Sequence, residues 1–331
     1  MMRVTIIGAG VAGLATAAEF TDQGHAVTII ARSPKIGSDC CSWLAGGMLA
    51  PWCEGESAEE PVVRLGQEAI GWWERQVSGV KREGTLVLSH LRDTTELRRF
   101  ARRTDAFDII DQAPINALEP DLAGRFRQGL FFAQEGHLDP RKTLIELADR
   151  LQKKGVVFHL GMDAQETSLD ADIIVDARGL AARDVLTELR GVKGEMLVVR
   201  SRDINLTRPV RLLHPRIPLY IVPRGDGVHM IGATMIESDE RSGISVRSTL
   251  EMLSAAYALH PAFGEAEILE TGVDARPAFP DNLPRVSRRG KTIYVNGLYR
   301  HGFLLSPAVA RMAVAAATQP EERPELLEEL S

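Results

Sequence analysis

The sequence predicts an α/β protein: a Rossmann-like domain with an antiparallel-sheet domain inserted into it. Three observations carry this expectation. The chain opens on an apolar run of strand length, Arg3 to Ile7, which meets Gly8-Ala9-Gly10-Val11-Ala12-Gly13 and then a helix-forming segment that Gly24 stops. A strand running into a glycine turn returns at Asp172-Ile173-Ile174-Val175-Asp176-Ala177-Arg178-Gly179. From Gly191 to Gly272 strands dominate, and Asp226-Gly227 marks a hairpin, an architecture of another kind.

The opening motif stands in the context its chemistry needs: strand, tight turn, helix. Gly8 permits the turn, Gly10 lets a pyrophosphate approach the backbone, and Gly13 lets helix and strand pack closely. The helix N-terminus, at Val11 and Ala12, offers N–H groups and a positive dipole end to phosphates. The spacing therefore predicts a dinucleotide site. A second strand, Ala26 to Ile30, completes the β-α-β unit. An acidic residue usually follows it and holds the adenosine ribose. Ala31 and Arg32 stand there instead. Arg32 then accepts a 2′-phosphate, sits beside the cofactor's own phosphates, or is simply solvated.

Composition narrows the class. The chain has 331 residues, 44% of them hydrophobic, and a net charge of -6 with both signs interleaved. That is enough apolar residue for one to three domains, with no basic block for nucleic acid and no basic amphipathic helix for a membrane surface. The expectation is a cytoplasmic protein. The first strand is too short for a signal h-region, and no stretch approaches a membrane span. Cys40, Cys41 and Cys53 are read as free thiols, and no metal site is expected, because no histidine lies near them in sequence.

The remaining elements follow in order. Ser42 to Trp52 is a run of small and apolar residues too irregular for helix or strand, where glycines allow close approach to a flat ligand. Glu59 to Val77 reads as one helix with Trp72 and Trp73 in the core, Glu83 to Ser89 as a strand, Asp93 to Arg103 as a charged surface helix, and Asn116 to Pro120 as a turn. Asp139-Pro140 opens a helix that Gly155 ends, and a strand follows from Val156 to Leu160. A helix is expected over Ser248 to Leu259, a strand over Thr292 to Asn296, a turn over Gly297 to Gly302, and an alanine-rich helix over Ser306 to Ala317. Gln319 to Ser331 reads as a loosely held tail. The nucleotide domain is thus expected to comprise residues 1–80, 139–190 and 273–331, and the second domain 81–138 and 191–272.

Several segments, in this order and spacing, resemble the D-amino-acid oxidase family of flavoproteins, and within it the glycine-oxidising branch. They are Gly46-Gly47-Met48-Leu49-Ala50-Pro51, Tyr220-Ile221-Val222-Pro223-Arg224, Gly232-Ala233-Thr234-Met235, Ala275-Arg276-Pro277 and Tyr299-Arg300-His301-Gly302-Phe303-Leu304-Leu305. The resemblance runs almost end to end. It implies FAD, with Ser42, Ala45, Gly46, Gly47, Met48 and Leu49 along the flavin side and Ala177, Arg178 and Gly179 near the diphosphate. It further implies Met162 and Asp163 at the adenine, and Arg300, His301, Gly302, Phe303 and Leu304 at the pyrimidine end of the flavin. There, N–H groups at the start of the last helix would stabilise negative charge. The related enzymes with covalent flavin need a cysteine in the C-terminal half; the last cysteine here is Cys53, so FAD is expected to be non-covalent.

On the substrate side, Arg276 matches the family's carboxylate-binding arginine, a task suited to a planar guanidinium. Tyr220 matches a tyrosine that assists the carboxylate, Met235 an apolar wall, and Arg300 lines the pocket or a phosphate-like site. The implied reaction passes a hydride from Cα of a neutral amine to the flavin. The imine is hydrolysed to glyoxylate and ammonia, and dioxygen is reduced to hydrogen peroxide. The implied partners are a small amino acid and dioxygen, with a homo-oligomer and a hand-off to a thiazole-forming enzyme of thiamine biosynthesis both compatible. Other readings stay open: an oxidase of D-amino acids, a sarcosine-type oxidase or dehydrogenase, a non-enzymatic flavin-binding protein, and, from Arg32, an NADP-binding reductase.

Overall fold

The computed structural model describes residues 1–164, 169–214, 219–319 and 324–329. Among these is a seven-stranded sheet in which Arg3–Ile7 is an interior strand. That strand pairs in parallel with Ala26–Ala31 on one side and Ile173–Asp176 on the other. Val157–Leu160 continues the sheet beyond Ala26–Ala31, and Thr292–Asn296 and Arg285–Arg289 continue it beyond Ile173–Asp176. Strands from both ends of the chain thus share one sheet. On one of its faces Val4, Ile6 and Ile29 are almost wholly buried and join Leu14 and Phe20 of the first helix in one core.

The second sheet draws on Thr85–Ser89, Asp108–Asp111, Gln128–Phe132 and the strands between Arg190 and Ala278. It is antiparallel except where Val210–Leu213 runs beside Thr85–Ser89. Asp226 and Gly227, both at positive φ, close the hairpin between Leu219–Gly225 and Val228–Gly232, as that dipeptide predicts. The helix Val246–Leu259 covers one face, where Leu197, Ile221, Ile231 and Met252 form a second core. Two long strands, Arg190–Arg200 and Glu267–Ala278, pair along their whole length and carry this sheet to the edge of the first.

The last helix starts at Gly302, earlier than the expected Ser306, and runs to Thr318 with Pro307 inside it. Proline has no N–H for the carbonyl four residues back, which is that of Phe303. The indole of Trp73 takes over: Nε1 donates to Phe303 O at 2.7 Å. This helix packs against the first helix, Val11–Asp22, across almost the whole length of the chain.

Three other expectations are corrected. Glu59 to Val77 is two helices, Glu60–Gly66 and Ala69–Gln76, because Gly66 is pressed against Leu304 and the chain turns there. Asn116 lies in a helix, Gln112–Leu118, instead of a turn; the proline of that stretch sits in the first turn, where it is tolerated, and Ile115 is buried. The C-terminal stretch is not simply loose, since Leu327–Glu329 pairs in parallel with Arg285–Arg289; residues 320–323 and 330–331 of it lie outside the described residues. Within the irregular run after Ser42, Met48–Leu49 forms a short strand against Gly136–His137.

Candidate active site

A cleft of about 480 Å³ opens where the parallel strands end, with Ile7, Ile30, Ala177 and Val295 at its floor. In open α/β sheets this end of the strands is where ligands bind. Gly8, Gly10, Val11 and Ala12 line it, and the three motif glycines separate into distinct roles. Gly8 has φ +113° and would place a Cβ 2.5 Å from Ala177 O, so the turn itself demands glycine. Gly13 does not face the cleft; its Cβ would meet Gly8 O at 2.0 Å, which is the close packing of helix on strand. A Cβ at Gly10 would have only ordinary contacts, 3.6 Å to Ser42 Oγ and 3.7 Å to Cys40 Sγ. It points into the cleft, and the room there is left for a ligand. Ser42 Oγ accepts from Val11 N–H at 3.3 Å and so braces the helix N-terminus.

Along the cleft stand Arg32, Ala45, Gly46, Met162, Asp163, Ala177, Arg178 and Gly179, as well as Gly302 and Phe303. The Arg178 guanidinium is held by Asp176 and Asp184, which leaves its backbone facing the cleft. Gly47, Met48, Leu49, His301 and Leu304 are not part of the cleft lining. Glycine is needed at position 47, where φ is +72° and a Cβ would come within 2.3 Å of Leu138 O. Arg224 explains how the wall keeps its place: this half-buried arginine donates to Ala45 O and Gly46 O, both at 3.0 Å, and to Leu138 O at 3.3 Å. Burial pushes its pKa down to about 10, and the carbonyls take the place of a carboxylate partner. These features fit an extended dinucleotide: a glycine cradle, a helix N-terminus, and a small-residue wall for a flat ring.

Arg276 and Tyr220 meet on the opposite side. The register Val192↔Arg276 and Gly194↔Asp274 puts Gly194, Asp274 and Arg276 on one face of the sheet, toward the cleft. The Arg276 guanidinium lies over Gly194, where a Cβ would come within 2.2 Å of Nη2, and Nη1 donates to Thr234 O at 3.1 Å. Among the described residues Arg276 forms no ion pair, an uncommon state for a half-buried guanidinium. Tyr220 fits between Gly46 and Gly232, whose Cβ positions would be 3.1 and 3.0 Å from its ring. Burial raises the Tyr220 pKa, so the hydroxyl stays a neutral donor at pH 7.

Met235 is outside the cleft wall, half-exposed at the rim, with Sδ 3.4 Å from Arg300 Nη1 and 3.5 Å from the Tyr299 hydroxyl. Arg300 lines the cleft and is tied to Ser57 Oγ at 2.6 Å and to Glu54. Sequence reasoning missed Glu54, Arg211, Arg224, Gly194 and the Asp274–Arg241 pair, which closes at 2.9 Å over the cleft. Only Arg224 carried a signal, as the last residue of a motif segment.

Comparison with known proteins places this arrangement. The model of the DAO family, described as FAD dependent oxidoreductase, matches residues 3–316. A Rhizobium etli protein that carries the name of a thiamine biosynthesis oxidoreductase, ThiO, is 54% identical over 327 residues, covering 97% of this chain and 99% of its own. A glycine oxidase of Pseudomonas aeruginosa is 26% identical, over 94% of this chain and 93% of its own. The crystal structure of glycine oxidase from Geobacillus kaustophilus superposes with a TM-score of 0.80 at 22% identity, covering 98% of this chain and 97% of that one.

Proposed function

The chain belongs to the DAO family of FAD-dependent oxidoreductases, and from that premise we propose that it oxidises glycine and other small amines, with Arg276 as the carboxylate anchor. FAD, when bound, supplies the acceptor for the substrate's hydride and hands the electrons to dioxygen. Gly8, Gly10 and the helix N-terminus would hold its diphosphate, and Ala45, Gly46 and Ala177 to Gly179 its flanks. The protein's own work is orientation. Arg276 takes the carboxylate in a two-pronged contact and fixes where Cα stands. The Tyr220 hydroxyl donates to the same carboxylate.

The observation that carries this reading is a guanidinium that has no ion-pair partner among the described residues and faces the cleft beside a half-buried tyrosine. Small size is supported by the tight seating of Tyr220 between Gly46 and Gly232, and by the name of the Pseudomonas aeruginosa relative. The name of the Rhizobium etli relative supports a role in thiamine biosynthesis, with the imine or glyoxylate passing to a thiazole-forming partner.

The test is an anaerobic titration of the FAD-loaded protein with glycine, sarcosine and D-alanine, followed by oxygen consumption. The flavin should bleach with at least one of them and recover with oxygen. A flavin that stays oxidised with all three would leave only a binding protein. Arg276→Ala should keep its flavin and lose roughly 2–5 kcal/mol of transition-state binding, a fall in kcat/KM of about thirty-fold or more. Arg276→Lys should recover only part of it. Near-normal glycine kinetics in Arg276→Ala would make Arg276 a structural residue.

A further inference from the structure

We propose that Glu195, which does not touch the cleft, is a positioning residue for Arg276, acting through Thr234. The inference rests on the reading of Arg276 as the carboxylate anchor.

The strand Arg190–Arg200 alternates its faces. Gly194 and Met196 look into the cleft, so Glu195 between them looks away from it, toward the N-terminus of the helix Val246–Leu259. There the carboxylate is wholly buried. A buried charge is costly unless each oxygen finds partners. Glu195 finds them in one place. Oε2 accepts from Thr234 Oγ1 at 3.1 Å, Oε1 accepts from Ser245 N–H at 3.1 Å, and Lys193 Nζ lies 3.6 Å away. Burial alone would raise its pKa, but the hydrogen bonds from Ser248, Ser245 and Thr234 outweigh it, and the group stays ionised.

Thr234 is clamped by that residue from every polar atom except one. Its N–H donates to Glu195 O at 3.2 Å, its Oγ1 accepts from Glu195 N–H at 2.9 Å, and Oγ1 donates to the Glu195 carboxylate. The remaining atom is the carbonyl oxygen, and it is this oxygen that receives Arg276 Nη1. Among the described residues, Arg276 thus has its one side-chain hydrogen bond on a peptide plane that Glu195 holds from three directions. A guanidinium on a flexible stem loses rotamer freedom when it docks a carboxylate. Holding one of its nitrogens in advance, over the bare backbone of Gly194, removes part of that loss.

The probe is glycolate, a carboxylate without the amine, bound to the FAD-loaded protein and followed by the flavin spectrum. Four variants decide: Glu195→Gln, Thr234→Val, Thr234→Ser and Arg276→Ala, with flavin content and melting temperature measured for each. Glu195→Gln and Thr234→Val should weaken glycolate about five- to ten-fold, the loss of one charge-assisted contact, and raise KM for glycine more than they lower kcat. Thr234→Ser keeps the hydroxyl and should stay within about two-fold of the parent. Added to Arg276→Ala, Glu195→Gln should change glycolate binding little, since its route is already gone.

Unchanged glycolate affinity in Glu195→Gln and Thr234→Val, with Arg276→Ala weakened, overturns the positioning role alone. A lower melting temperature without a change in affinity does the same. Unchanged affinity in Arg276→Ala overturns the anchor itself. Full additivity of Glu195→Gln with Arg276→Ala also overturns the proposal, as it would show a route that bypasses Arg276. Should Glu195→Gln not fold, the Thr234 pair still decides.

Discussion

Glu54 Oε2 stands 2.8 Å from Arg300 Nη2, while the other oxygen of the same carboxylate accepts from Arg211. One acidic side chain, almost fully buried, therefore joins the loop ahead of the last helix to a strand of the second sheet. Burial works to raise its pKa, but Arg300 and Arg211 outweigh that and hold it far below the ordinary carboxylate range. A depressed carboxylate stabilises the fold above its unfolded pKa and loses that contribution as the pH falls below it. Glu54→Gln should leave two half-buried guanidinium groups without their carboxylate, at a cost of about 3 kcal/mol in urea unfolding at pH 7. A loss below about 1 kcal/mol would show that solvent already screens the pair.

Gly10 and Gly13 belong to one motif but should fail differently. Gly10→Val adds atoms only where the cleft is open, so the protein should fold with the melting temperature of the FAD-free parent and carry little FAD. Gly13→Ala forces a Cβ onto Gly8 O and should destabilise the fold by about 1–3 kcal/mol. Flavin content by absorbance and unfolding by circular dichroism separate the two. Full flavin in a folded Gly10→Val protein would move the diphosphate elsewhere.

The Trp73 indole and Pro307 form a compensating pair. Trp73→Phe keeps an aromatic ring but leaves Phe303 O without its donor, a cost of about 1–3 kcal/mol. Pro307→Ala in that background restores a helical N–H to the same carbonyl and should recover part of the loss. If the double variant is less stable than Trp73→Phe alone, the carbonyl is not what Trp73 serves.

His229 is buried, and burial pushes its pKa down to about 4. The unfolded chain takes up a proton there near pH 6.5, which the folded protein refuses until about pH 4. Its contribution is therefore full above pH 6.5 and is lost as the pH falls toward 4. Other groups titrate in the same window, Glu135 in the opposite sense, so the comparison must be between variants. On going from pH 7 to pH 5, His229→Gln should lose about 2 kcal/mol less stability than the parent. Equal losses would mean that the histidine is protonated in the folded protein.

What could be read from the residues alone was local. The N-terminal motif, the Asp139 cap, the Asp226-Gly227 hairpin and the core tryptophans each depend on neighbours in sequence, and each is where the pattern puts it. Arg276 and Tyr220 gained a role only through the family resemblance. The buried charges were not legible. Glu54 lies 157 positions from Arg211, and Arg224 is 178 from Gly46, and nothing in either neighbourhood distinguishes a buried charge from a solvated one. The break at Gly66 was hidden for the same reason, since its cause is Leu304. Glu195 reads as one more charge in a strand until Thr234 is seen against it.

The packing of the last helix on the first has a consequence for how such a chain comes into being. Synthesis runs from the N-terminus, and the face of Val11–Asp22 that Gly302–Thr318 covers has no partner until the final part of the chain has emerged. The strand Thr292–Asn296, which closes Ile173–Asp176 into the sheet, arrives equally late. The glycine cradle is therefore present early, as a local strand and turn, while its surroundings are completed last. Contacts so distant in sequence slow folding and leave apolar surface open during it. Cells making this protein in excess should accumulate aggregates from unfinished chains, and slower translation in the cold is the condition that favours soluble product.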